Sequence, residues 1–188
     1  MTTPTIDFAG AARTAVEKAA VSGRMLYAPS VLGEAAVLLT DLWASGGRHG
    51  IEYTEWDGAV NLPSGVLEVV AERYTRTLDT ERTGDEVTAL AEDLVAALTE
   101  IGLTVLPGIR KHMITVGRCP KTPPGGRRGD ANLIVAIYSN RGWTLSANAD
   151  GATVLNIAAP ATTTGAAEVA ALVRSVAHGD LVGNPLRR

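Results

Sequence analysis

The chain has 188 residues, enough for one domain to bury its own core without disulfides or metals. Apolar residues at 46% and charged residues at 20% are the composition of an ordinary globular protein. The single cysteine, Cys119, excludes an internal disulfide and points to a reducing compartment, and no apolar run approaches the roughly 20 residues of a membrane helix. No basic region followed by an apolar run opens the sequence, so the expectation is no signal peptide, no membrane association and a cytoplasmic location.

The net charge of −3 hides an asymmetry. Residues 1–104 carry 7 Lys and Arg against 16 Asp and Glu, a balance of −9. Residues 105–188 carry 10 against 4, a balance of +6. The expected organisation is one α+β domain over 1–188. Its acidic, helix-rich part is 1–102 and its basic part, 103–188, holds a sheet and a last helix.

Thr5 to Val21 is alanine-rich and predicts a helix that ends before Gly23. Ser30 is a candidate N-cap for a second helix with Val31, Ala35, Leu38, Leu39 and Leu42 at helical spacing. Gly47 to Asn61 is irregular. It holds His49, Glu52, Glu55 and Asp57, all ligand-capable types. A metal site needs three or four of them to converge, and a strand would point Glu52 and Glu55 to opposite faces. No metal and no cofactor is expected. Pro63-Ser64 opens a third helix with Leu67, Val70, Tyr74 and Leu78 as its stripe. Thr83-Gly84-Asp85-Glu86 fits a capping box, and Val87, Leu90, Ala91, Leu94, Leu98 and Ile101 give the cleanest helical period in the chain. Gly102 suits the position just past that helix. About four helices are therefore expected before the sheet.

Leu103 to Leu106 predicts an extended run that turns at Pro107-Gly108. A four- or five-stranded antiparallel meander follows. His112 to Val116 is one strand. Leu133 to Tyr138 is apolar at every position, which predicts cover on both faces. Trp143, Leu145 and Ala147 alternate with Thr144, Ser146 and Asn148, the period of a half-buried strand. Asp150-Gly151 signals a hairpin into a strand from Thr153 to Ala159. Arg118 to Ala131 is a long Pro/Gly-rich connection, expected to be mobile. Glu168, Val169, Leu172, Val173 and Val176 mark a C-terminal helix that stops at Gly179.

Arg110, Lys111, Arg118, Lys121, Arg127, Arg128 and Arg141 crowd into a short stretch opposed only by Asp130. Clustered guanidinium groups bind phosphate through charge and paired hydrogen bonds, and Trp143 and Tyr138 are nearby rings able to stack bases. Arg110, Arg118, Lys121, Arg127, Arg128, Arg141 and Trp143 form the candidate binding set. The alternatives are a solvated loop, or a loop docked on acidic helices of the same fold or of a second subunit. The acidic isoelectric point and the lack of a recognisable nucleic-acid motif weigh against a dedicated nucleic-acid binder. Cys119 sits among cations but lacks a positioned base other than a distant His112. No nucleophile, metalloprotease or phosphate-loop motif is present. Arg128-Gly129-Asp130 matches an adhesion tripeptide by letters only. The leading expectation is a non-catalytic interaction module, with a protein partner or a homo-oligomer. Nucleic-acid or polyanion binding through Arg118–Arg141 is the second. An enzyme whose site forms only in three dimensions is the third.

Overall fold

The computed structural model describes residues 8–18, 20–22, 24–44, 66–75, 82–117, 133–147 and 154–180. Along them run α1 (Phe8–Lys18), β1 (Val21–Ser22), β2 (Met25–Tyr27), α2 (Pro29–Ala44), α3 (Val66–Thr75) and α4 (Gly84–Glu100). Then come β3 (Val105–Arg110), β4 (Met113–Val116), β5 (Leu133–Tyr138), β6 (Gly142–Ala147), β7 (Val154–Ala158) and α5 (Thr163–His178). The class is α+β, with a C-terminal helix. Gly47–Asn61, Arg118–Ala131 and the Asp150-Gly151 hairpin lie outside the described residues.

The sheet order is β1-β2-β7-β6-β5-β4-β3 among these residues. β3 to β7 pair as an antiparallel meander. The sheet is not wholly antiparallel, because β2 pairs β7 in parallel, with Leu26 opposite Ile157. Three residues of strand are too short to show a period of two, so sequence pattern alone does not reveal β2. This pairing ties the start of the chain to its end.

The sequence reading of Pro107-Gly108 as a turn is also corrected. Both residues lie inside β3, where the register with β4 shifts between Leu106 and Arg110. β3 is an edge strand, and a proline without an N–H is tolerated at an edge irregularity. The turn comes later, at Lys111-His112.

One face of the sheet holds the core. Leu26, Ile114, Val116, Val135, Ile137, Trp143, Leu145, Leu155 and Ile157 are all buried at alternating strand positions. α4 packs on this sheet and on α5 through Val87, Leu90, Ala91, Leu94 and Leu98. α3 adds Leu67, Val70 and Ala71 near β6 and β7. The opposite face is only partly covered. Ala136 and Thr144 are buried there, Ile134 and Tyr138 are half-buried, and Val154 is exposed. The expected cover on both faces of β5 is therefore met in part: it is complete at Ala136 and partial at Ile134 and Tyr138.

Local signals explain the helix ends. Thr83 Oγ1 accepts from the Glu86 N–H at 3.3 Å, and the Glu86 carboxylate accepts from the Thr83 N–H at 2.7 Å. The Thr83 backbone and hydroxyl hold the Glu86 carboxyl below its usual range. α5 is capped by the Thr162 hydroxyl and ends at Gly179, whose φ of 73° is left-handed. Thr83→Ala is expected to cost about 0.5–2 kcal/mol in denaturant melts. Because the folded pKa of Glu86 is depressed, its contribution is present above the unfolded pKa and fades as pH falls through the folded one. The gap between wild type and Thr83→Ala should therefore narrow in melts at acid pH.

Candidate interaction site

Of the seven residues of the sequence-derived binding set, three lie among the described residues. Arg118, Lys121, Arg127 and Arg128 lie outside the described residues. Arg110 closes β3, and Arg141 is exposed in the turn between β5 and β6. Met113 pairs with Ala136, and Tyr138 with Gly142, so these two turns share one end of the sheet. β4 ends at Val116 and β5 begins at Leu133, at the opposite end of the sheet. The strand between the ends spans roughly 20 Å at 3.3 Å per residue.

Trp143 is withdrawn from any ligand. It is 0% exposed, and its indole Nε1–H donates to the Pro160 carbonyl at 3.1 Å. A fully buried ring with its polar atom already paired offers no stacking face. His49, Glu52, Glu55, Asp57 and Cys119 lie outside the described residues. Among the described residues, no three His, Cys, Asp or Glu side chains gather to hold a metal ion, and no helix is long and apolar enough to cross a membrane.

A different surface emerges on α2. Ser30 is not an N-cap: α2 starts at Pro29, which supplies a preset φ at the first helical position. The Ser30 N–H and Oγ–H both donate to the Glu168 carboxylate on α5, at 2.9 and 2.6 Å. Glu34, one turn on, accepts from the Arg73 guanidinium and from the Tyr74 hydroxyl on α3. Hydrogen bonding to that carboxylate pushes the Tyr74 phenol up, because the bond needs its proton. Thr40 returns its hydroxyl to the Ala36 carbonyl at 2.7 Å. Asp41, near the end of α2, is exposed.

α2 turns Val31, Ala35 and Leu39 into the core, and apolar side chains also line its outer side. α2 lines a groove of about 550 Å³ with Pro29, Leu32, Gly33, Ala36, Val37, Thr40 and Asp41. Val37 is 63% exposed, the largest exposure of any bulky apolar side chain described. A Cβ built on Gly33 meets nothing within 4 Å, so the floor is open there. α1 supplies the other wall with Arg13, Val16 and Glu17. α1 ends, and α2 begins, beside the β1–β2 hairpin, where Tyr27 N–H donates to the Ala20 carbonyl, so the two helices run antiparallel. Glu17 therefore stands near the Pro29 end of the groove and Asp41 at the other. None of Arg13, Glu17 and Asp41 forms an ion pair among the described residues.

Sequence reading passed over this surface although one signal was present. α2 is apolar on more than the one face a core-facing helix requires. No protein family, curated protein or solved structure matches the chain.

Proposed function

We propose that the protein is a non-catalytic interaction module whose working surface is the α1/α2 groove, and that its partner is an amphipathic helix of another protein with basic ends. One observation carries the reading. α2 buries one apolar stripe, Val31, Ala35 and Leu39, in the core, and presents further apolar side chains, Leu32, Ala36 and the exposed Val37, along the groove, more apolar surface than a helix with no partner needs. Its 16 residues make a track about 24 Å long, enough for three or four turns of a bound helix. The acids at both ends favour cations at the ends of the guest. They disfavour a second copy laid antiparallel on the first, since a two-fold there brings the acidic ends of two grooves together.

The probe is a fluorescent amphipathic peptide of about four turns, with leucines at helical spacing and lysines at both ends. Val37→Asp places a carboxylate in the middle of the groove. Anisotropy titration is expected to show at least about a tenfold weaker affinity for this variant, since burying one such side chain contributes roughly 1.5–3 kcal/mol. Gly33→Leu fills the floor and should weaken binding as well. The same peptide with glutamates at its ends should bind wild type more weakly. Equal affinity for wild type and Val37→Asp would remove the groove as the site.

A further inference from the structure

Three of the described residues that line the groove are charged, and the fold fixes their order along it. Counted equally along both helices from the hydrogen bond between the Tyr27 N–H and the Ala20 carbonyl, Glu17 on α1 stands level with Ser30, and Arg13 with Glu34. Arg13 is therefore one turn, about 6 Å, further into the groove than Glu17, beside Gly33 and not at an end. Asp41 lies about 18 Å along α2 from Pro29. Read from the Pro29 end, the groove presents an acid, a base one turn on, and an acid at the far end.

Arg13 has no carboxylate partner among the described residues. Arg13 and Glu17 share a wall one turn apart and are both exposed, yet the one ion pair among these residues is Arg73–Glu34. Arginine four residues before glutamate is the weaker order for a pair within a helix. Glu34, level with Arg13, is held by Arg73 and Tyr74 on α3. Across the groove Arg13 faces Gly33, Ala36 and Val37, which offer it no side-chain acceptor. A guest laid in the groove takes water from this guanidinium, and a cation desolvated without a partner costs affinity. A carboxylate at the same level offsets that cost.

We infer that Arg13 sets the specificity of the groove: the guest helix carries an Asp or Glu one turn inside one of its two basic ends, and that carboxylate pairs with Arg13. This rests on the groove being the binding surface, and adds the charge order of the guest. The levels of Glu17, Arg13 and Asp41 are about 6 and 10 Å apart, the rise of about four and seven residues. Four- and seven-residue steps keep a guest's three charges on one helix face, so a single helix can meet all three at once. A guest with a neutral residue at the middle level leaves Arg13 unpaired, and one with a lysine there is repelled.

The test is anisotropy titration with the full chain at about 50 mM salt, where exposed charges are little screened. The probes are labelled amphipathic peptides of about four turns with lysine ends. One turn in from the first or the second end they carry a glutamate, a glutamine or a lysine, and both placements are used because the charges alone admit either chain direction. On wild type, the glutamate peptide of one placement should bind about threefold tighter than its glutamine counterpart and about tenfold tighter than its lysine counterpart. Arg13→Gln should remove this preference, and Arg13→Glu should reverse it in favour of the lysine peptide. A merely structural Arg13 would weaken all three peptides alike, and thermal melts check that both variants are folded. Equal wild-type affinity for the three peptides at both placements overturns the inference, as does a preference that survives Arg13→Gln, while weaker binding by Val37→Asp would still uphold the groove. If Val37→Asp binds every peptide as wild type does, the groove itself is not the site and the inference falls with it.

Discussion

Gly165→Ala is expected to destabilise the protein by about 2–4 kcal/mol, although the change normally strengthens a helix. Gly165 lies in the first turn of α5. A Cβ there would sit 1.8 Å from the Pro160 carbonyl oxygen and 2.7 Å from its carbon. Both are backbone atoms, so no side chain can swing aside. The same carbonyl accepts the Trp143 indole N–H, and the Gly165 N–H donates to the Thr162 cap. Moving Pro160 therefore disturbs the largest buried side chain in the core and the start of α5 together. The same substitution at Gly33 is the control. That glycine is helical, has no positive φ and has open space around it, so Gly33→Ala should stabilise by about 0.5–1 kcal/mol. Denaturant melts of the two variants should move in opposite directions. Equal shifts would show that Pro160 does not press on α5.

Leu94→Ala should cost about 2–5 kcal/mol. Leu94 is 0% exposed at the centre of the α4 stripe, between α5 and the strands. α4 packs on both, so a cavity there cannot be filled by moving one neighbour alone. Urea melts at unchanged m-value measure the loss. A loss below about 1 kcal/mol would mean that α4 is peripheral and that the sheet is covered chiefly by α3 and α5.

The sequence was most legible where one local signal had no competitor. The capping box at Thr83 and Glu86 and the α4 stripe act within a few residues, and each reappears in the structure, whereas in β6 the strand forms but Thr144 is buried along with Trp143 and Leu145. Misreadings came where tertiary context overrode a local signal. Pro107-Gly108 has turn chemistry but sits at an edge irregularity, where the missing N–H has no strand to serve. Trp143 carried two readings, inward by its alternation and outward as a stacking ring, and the alternation prevailed. Ser30 has N-cap chemistry, but its hydroxyl is drawn to a carboxylate 138 residues away. The groove was the least legible feature. Whether an apolar side of α2 is covered depends on where Glu34 and Ser30 point, and their partners on α3 and α5 are far along the chain.

The claim on which the functional reading rests is that Val37 faces solvent in a groove that a helical partner can fill. Thiol labelling of Val37→Cys in a Cys119→Ser background measures this at the residue itself. The free protein is expected to react at close to the rate of an unfolded thiol, because Val37 is 63% exposed on a folded helix. Saturation with the lysine-ended amphipathic peptide should slow the reaction at least about tenfold, in proportion to site occupancy. Slow labelling of the free protein would mean that α2 is already covered. Fast labelling that the peptide leaves unchanged would mean that the groove does not receive a helix, and either result contradicts the account.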